Sequence, residues 1–272
     1  MQVIPVTDVS RGFGSTSRRD AWWVAPLAVF LGLGTFLIYS TWAAFQNAHY
    51  TFGPYLSPFY APVLWASPDN PAGLEHAWFG AKPDWFPALL PFSPALLILP
   101  FPGLFRFTCY YYRGAYYKAF WADPPSCAVG EPRKSYWGEQ SFPLILQNVH
   151  RYFLYIACIF LFLLSYDVWL ATRWPDGAGG TTFGIGIGTL VLALNVVMLS
   201  SYTLGCHSLR HIVGGVKDEV SKSSMRSACY NCSSALNGRH MLFAWMSLFS
   251  VALSDLYVRL CSMGILTDVR LI

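Results

Sequence analysis

The chain has 272 residues, of which 54% are hydrophobic, 17% are aromatic and only 12% are charged. Soluble domains carry about 25% charged residues, so this composition excludes an ordinary soluble protein and indicates an integral membrane protein. The net charge of +4 does not indicate nucleic-acid binding, because the basic residues are spread along loops rather than gathered in one patch.

The apolar runs predict an all-α membrane protein. A helix needs about 20 apolar residues to cross the hydrocarbon core of a bilayer. The first run is too long for a cleavable signal peptide, and we expect it to remain as an anchor. The prediction is a single membrane domain over 1–272 with five transmembrane helices. They lie at about 22–45, 88–108, 150–172, 183–206 and 240–262.

The positions of lysine and arginine predict the orientation of the chain. Fourteen of the 18 basic residues fall on one side of the predicted spans, and positively charged flanks are retained in the cytoplasm. We therefore expect a multi-pass protein of the inner (plasma) membrane, with a cytoplasmic N-terminus and an external C-terminus. Loops 109–148 and 207–239 are then cytoplasmic, and loop 46–86 is external.

Proline and glycine shape several of these segments. Loop 46–86 is rich in Pro, Trp and Tyr and predicts an ordered cap of turns. Four prolines should kink or break span two. Loop 109–148 has the aromatic and basic composition of a docking surface. The glycines of GIGIG at 184–188 indicate helix packing, because no strand precedes them as a nucleotide-binding motif would require.

Cysteine and histidine side chains converge on one level of the predicted membrane domain, near the cytoplasmic face. They end span two, begin spans three and five, and follow span four. His207 and His211 are four residues apart and share one helical face. The six residues are Cys109, His150, Cys206, His207, His211 and His240.

Thiolates and imidazoles together suit zinc, or an iron–sulfur centre in which two histidines replace two cysteines on one iron. A haem held by two histidines is a third reading, and packing or interfacial side chains are the fourth. The CxxC at Cys229 and Cys232 has metal-ligand spacing, but no second CxxC or HxxxH completes a zinc knuckle.

Four stretches carry a family resemblance: CYYYRGAYYKAFWADPPSCAVGEP, FPLILQNVHRYF, YTLGCHSLRHIVGG and LNGRHMLFAWMSLFSVALSDLYVRL. They resemble the membrane-anchor subunit of actinobacterial succinate dehydrogenase, of the mycobacterial type with a single five-helix anchor. The resemblance implies a flavoprotein partner with FAD, a partner with further iron–sulfur clusters, and menaquinone as acceptor. It also implies a Rieske-type 2Fe–2S cluster in place of haem.

Two cysteines and two histidines are needed for such a cluster. The resemblance favours Cys206 and His240 first, then Cys127 and His211, with His207 next. Cys127 is favoured because it lies in the matching loop 109–148. Alternative ligands are Cys109, Cys229 and Cys232.

The function expected from this resemblance is electron relay from the iron–sulfur subunit to quinone. Quinone reduction needs hydrogen-bond donors and aromatic walls, and the candidates at the interface are Tyr110, Trp121, His150, Arg151 and Arg239. Three alternatives stay open. They are a haem b-binding anchor using His150 and His240, a cofactor-free structural anchor, and a transporter. The sequence leaves open whether the complex is a trimer.

Overall fold

The computed structural model describes residues 21, 23–68, 70–87, 89, 91–120, 145–176, 179–215, 219 and 222–272. Trp121 and Cys127 therefore lie outside the described residues, together with most of loop 109–148. The described helices are α1 (Val24–Gln46), α2 (Pro94–Ile98), α3 (Pro100–Thr108), α4 (Tyr110–Phe120), α5 (Ile145–Leu170), α6 (Ile187–Leu204), α7 (His207–Gly214), α8 (Ser224–Asn237) and α9 (His240–Ser262).

Four of the described helices are long and apolar enough to cross a membrane. They correspond to predicted spans one, three, four and five. Helices α6 and α9 form the most extensive helix pair, and α5 packs against both α3 and α6. The described residues are thus mainly helical, as the sequence predicts. The spans are Val24–Gln46, Asn148–Leu170, Ile187–Leu204 and His240–Ser262.

The prediction of five spans is not confirmed, because the segment expected as span two is not one long helix. It consists of α2 and α3, which are 5 and 9 residues long and meet at Leu99. Pro100 and Pro102 lack the N–H groups that a continuous helix would use, and their rings crowd the preceding turn. The pair is therefore shorter than a regular membrane-spanning helix.

Residues 47–93, which we call the cap, cover the C-terminal end of α1. A short hairpin pairs β1 (Thr51–Phe52) with β2 (Tyr55–Leu56), and a 3-10 helix follows at Pro71–His76. The hydroxyl of Tyr60 donates to the carbonyl of Ala43 at 2.7 Å. Ser93 donates to the carbonyl of Ala44 at 2.7 Å. The cap thus satisfies carbonyl groups that the end of a helix leaves free.

A buried ion pair joins the cap to α9. Asp255 and Arg259 are four residues apart, and their side chains are 0% and 2% exposed with Nε 3.4 Å from Oδ2. Tyr39 donates to Asp255 at 2.6 Å, and Ser57 donates to its other oxygen. Arg259 donates to the carbonyl of Ala48 at 3.0 Å. The pair therefore connects α1, the cap and α9.

The C-terminal tail closes the same end of the bundle. Asp268 accepts hydrogen bonds from Tyr55 at 2.7 Å, Tyr257 at 2.5 Å and the backbone N–H of Gly188 at 3.0 Å. A Cβ atom on Gly188 would lie 2.4 Å from the Tyr55 ring. The GIGIG glycines therefore allow close approach of the cap, where the sequence had indicated helix packing. The tail also bridges to Gly186 beside a second hairpin, β3 (Arg173–Pro175) with β4 (Thr181–Phe183).

Replacing Asp255 with Ala should strongly destabilise the protein, because it leaves the Arg259 guanidinium buried without its counter-ion. We expect a loss of about 3–5 kcal/mol, as for other broken buried pairs. The measurement is the thermal unfolding midpoint of the purified complex. Glu219→Ala is the control, since its pair with Lys222 is exposed and should contribute little. Equal midpoints for the two variants would contradict the role of the buried pair.

Candidate metal centre

Two cysteines occupy equivalent elbows between consecutive helices. Cys109 separates α3 from α4 with φ −62° and ψ 133°, and Cys206 precedes α7 with φ −66° and ψ 138°. Each carbonyl accepts a backbone hydrogen bond from an arginine four residues later, Arg113 at 2.9 Å and Arg210 at 3.2 Å. Both thiols are buried, with each residue only 2% exposed. An extended residue at each elbow thus turns the chain and directs a thiol into the bundle.

The first Cys–His pair joins α5 to the elbow after α6. The Nε2 atom of His150 lies 3.1 Å from the Cys206 sulfur, and its Nδ1 atom lies 2.8 Å from the Thr108 hydroxyl. That hydroxyl donates to the carbonyl of Leu104 at 2.8 Å, so it accepts from Nδ1–H. The lone pair of Nε2 therefore faces the sulfur.

The second Cys–His pair joins the elbow after α3 to the start of α9. The Cys109 sulfur lies 3.6 Å from Nε2 of His240. The His240 ring stacks on Tyr202 at a centroid distance of 4.9 Å, and its Nδ1 atom is buried without a partner among the described residues. The Tyr202 hydroxyl lies beside the Cys109 thiol and has no other hydrogen-bond partner among the described residues.

The two pairs are adjacent. Cys109 and Cys206 belong to one buried cluster that also contains Phe105 and Tyr202. The Phe105 ring lies between those of His150 and Tyr202. It stacks on His150 at a centroid distance of 4.6 Å and meets Tyr202 edge-on at 5.5 Å. Burial raises the pKa of the Cys206 thiol to about 11, so without a metal it stays protonated at neutral pH.

Among the described residues, no three His, Cys, Asp or Glu side chains are arranged around a point that could hold one metal ion. The four side chains form two pairs instead. We refer to Cys109, His150, Cys206 and His240 as the Cys/His quartet. Its donors come from four separate parts of the chain, which is why sequence spacing alone did not identify it.

The structure places the other predicted ligands differently. His207 and His211 are exposed on α7, and their Nε2 atoms lie 3.0 Å apart. Burial lowers the pKa of His207, and the neighbouring imidazole lowers it further. Cys229 and Cys232 are exposed on α8. These four residues are not part of the quartet. Of the ligands favoured from the sequence, the quartet contains Cys206 and His240.

A cavity of about 200 Å³ lies next to the quartet, between α1, α3, α5 and α6. Its wall is mostly apolar, but Arg106 and Tyr202 line one side. Arg106 donates to Ser247 at 3.0 Å and to the Tyr112 hydroxyl at 2.7 Å. Its guanidinium stacks over the Tyr202 ring at 4.7 Å. Arg106 could not be selected from the sequence, because nothing in the residue spacing shows that its side chain faces the bundle.

The predicted quinone residues are not brought together by the structure. Tyr110 is 75% exposed and lines a separate cavity between α1 and α4. Arg151 and Arg239 are exposed, and His150 belongs to the quartet. Trp121 lies outside the described residues.

The family model for actinobacterial succinate dehydrogenase subunit SdhC matches residues 24–264. The chain belongs to this family. Its fold is also similar to that of a chain in the Mycobacterium smegmatis Sdh1 complex, solved in the apo form. The two are 44% identical, the alignment covers 94% of each chain, and the TM-score is 0.79. A search of curated proteins found no match.

Membership of the SdhC family confirms the resemblance predicted from the sequence. The chain is therefore a membrane-anchor subunit of succinate dehydrogenase, an oxidoreductase complex. Its four long apolar helices agree with an integral membrane subunit. The family match does not by itself identify ligands, so the quartet rests on the geometry described above.

Thiol labelling of this anchor subunit should separate the quartet from the exposed cysteines. Cys109 and Cys206 are buried, whereas Cys229 and Cys232 are exposed, and access controls thiol modification. We expect a maleimide to label Cys229 and Cys232 before Cys109 and Cys206 in the folded anchor subunit without its partner chains, with peptide mass spectrometry as the readout. A Cys127→Ser background removes the one thiol outside the described residues. Labelling of Cys206 as fast as Cys229 would contradict the buried elbow.

Proposed function

We propose that this subunit carries electrons from an iron–sulfur partner to quinone through a Rieske-type 2Fe–2S cluster held by the Cys/His quartet. The observation that carries the proposal is the pair of buried Cys–His contacts, Cys206 with His150 and Cys109 with His240. This set replaces Cys127, His207 and His211 of the sequence-based assignment with Cys109 and His150.

The quartet fits such a cluster in number and kind, since Rieske centres use two thiolates and two imidazoles. When bound, the cluster would accept and donate one electron at a time. The Thr108 hydroxyl fixes the His150 ring and its tautomer, as outer partners of metal-bound histidines do. The Nδ1 atom of His240 has no hydrogen-bond partner among the described residues and is available as a ligand nitrogen.

The quinone head group is proposed to enter the cavity beside Arg106 and Tyr202. An arginine donates hydrogen bonds and favours negative charge on a reduced carbonyl oxygen, while the free Tyr202 hydroxyl can donate to the other side. The apolar wall suits a lipid-soluble ring such as menaquinone. The cavity is small, so the isoprenoid tail would have to extend between helices toward lipid.

The partners are proposed to be a flavoprotein with FAD and an iron–sulfur protein, docked at the quartet end of the bundle. The similar solved chain belongs to an Sdh1 complex. Helices α7 and α8 lie at this end outside the long apolar helices, and they carry basic side chains including Arg210 and Arg226. By the positive-inside bias, this end is proposed to be cytoplasmic.

The haem alternative remains the second candidate, because two histidines on different helices are present. The geometry favours the cluster, since each Nε2 atom faces a sulfur: His150 faces Cys206 and His240 faces Cys109. A haem would need both imidazoles turned away from the thiols. Optical spectra of the reduced complex separate the two, because only haem gives a sharp reduced band.

Replacing His150 and His240 together with Ala should abolish succinate–menaquinone reductase activity of the whole complex. Succinate oxidation with a soluble artificial acceptor should persist, because the quartet is not part of the succinate site. The signal of the Rieske-type cluster in low-temperature electron paramagnetic resonance should also disappear, while the signals of the partner's iron–sulfur clusters should persist.

The matched control is His207→Ala with His211→Ala, which removes two exposed imidazoles one helix away. We expect this control to keep the cluster signal and most quinone reduction. If the control lost the signal and the His150/His240 variant kept it, the assignment of the quartet as ligands would be wrong. The ligands favoured from the sequence would then be supported.

Quinone binding in this cavity can be tested by placing a larger side chain in it. Gly103 lines the cavity and an added Cβ has open space, so Gly103→Leu should raise the KM for quinone several-fold while leaving the cluster signal intact. Gly34→Leu is the control, because Gly34 also has open space but does not line the cavity. An unchanged KM in Gly103→Leu would place the quinone elsewhere.

A further inference from the structure

A second cavity, of about 690 Å³, lies between the start of α1 and helix α4. It is separate from the quartet and from the cavity beside Arg106. Its lining includes Ala25 and Pro26 from α1, and Arg113, Gly114 and Lys118 from α4. None of the described residues that line it is acidic.

Arg113 is the most unusual of these residues. It is only 8% exposed, and its guanidinium lies over the Tyr110 ring at 5.7 Å. Within the part of the chain that the structure describes, the guanidinium makes no ion pair and no hydrogen bond. A buried charge of this kind is costly unless an opposite charge meets it. The cavity would let an anion from outside reach the Arg113 guanidinium.

The start of α1 adds a second source of positive potential. The helix is 23 residues long, it has no acidic residue in its first turn, and no side chain among the described residues caps it. The aligned peptide dipoles of a helix place partial positive charge at its N-terminus, which favours a nearby anion. At this end the Val24 N–H is already bonded to Ala21 and Pro26 has no N–H, so the contribution is that of the dipole. Ala25 and Pro26 bring this helix end to the cavity wall. The exposed side chain of Lys118 contributes a third positive group.

We propose that this cavity binds the phosphate group of an anionic phospholipid. The apolar surface of α1 continues directly from the cavity, where Leu27, Phe30 and Leu31 are 44%, 43% and 56% exposed. That surface would cover acyl chains, which a free phosphate ion lacks. Basic pockets between membrane helices hold lipid head groups by the same combination of charge and apolar surface. The lipid would fix α4, and with it the elbow at Cys109.

The test uses the whole complex reconstituted in neutral phosphatidylcholine vesicles, titrated with phosphatidylglycerol. The readout is the amount of phosphatidylglycerol that remains bound after detergent extraction, measured by native mass spectrometry. For Arg113→Gln we expect binding about fivefold weaker, which corresponds to about 1 kcal/mol for one basic side chain near an anionic surface. Arg226→Gln is the control, because it removes one positive charge from α8 instead. It should retain as much phosphatidylglycerol as the unchanged protein.

Gly114→Glu provides an independent variant, because an added Cβ there meets open space. It keeps Arg113 and places a carboxylate in the same cavity, so it should also displace the lipid. Equal lipid retention in all variants would overturn the proposal. So would displacement of the lipid by inorganic phosphate at millimolar concentration, which would assign the cavity to a free anion. If the Arg113 and Gly114 variants raised the KM for quinone and kept the lipid, the proposal would also be overturned, and the cavity would be assigned to quinone.

Discussion

The extended backbone at Cys109 and Cys206 is the constraint on which the proposed redox site depends. Each cysteine is the residue at which one helix stops and another begins, with nearly the same φ and ψ. The elbow turns the chain sharply, so the side chain faces the bundle and not the surrounding membrane. Because the following helix begins on the cysteine's own carbonyl, the thiol position is fixed by backbone hydrogen bonds on both sides.

The two ends of the bundle differ in chemistry. At the capped end, Asp255 and Arg259 neutralise each other, and the Tyr39 and Ser57 hydroxyls donate to the carboxylate. Among the described residues, only the Nη2 atom of this pair lacks a hydrogen-bond partner. At the other end, thiols and imidazoles lie together with Arg106, which has no carboxylate partner among the described residues. A network whose opposite charges meet holds its helices in place. An incompletely paired one retains donors and charge for a ligand.

The sequence predicted the class of protein, four of the membrane helices and the level at which the thiols and imidazoles meet. These features follow from local properties, because hydrophobic length and loop charge are read directly from neighbouring residues. Span two was predicted as one element, although its prolines had indicated a break. The structure shows that Pro100 and Pro102 divide it into short helices.

The ligand partners could not be predicted in the same way. Helical periodicity shows that His207 and His211 share a face, but it does not show that this face is exposed. It also cannot show that His150 meets Cys206, because that contact joins residues 56 positions apart. A sequence signal did exist in retrospect. TCYYYR and GCHSLR both place a cysteine at a helix junction four residues before an arginine.

Arg106 links the two proposed tasks of the site. It contacts α9 through Ser247, α4 through Tyr112 and α6 through the face of Tyr202. Two thiolates in a low-dielectric interior need nearby positive charge, and a reduced quinone oxygen needs the same. One guanidinium beside both the quartet and the cavity can stabilise negative charge at either place. Negative charge at the quartet would then weaken the interaction of Arg106 with the cavity, and the reverse would also hold. The two sites would be coupled through this single side chain.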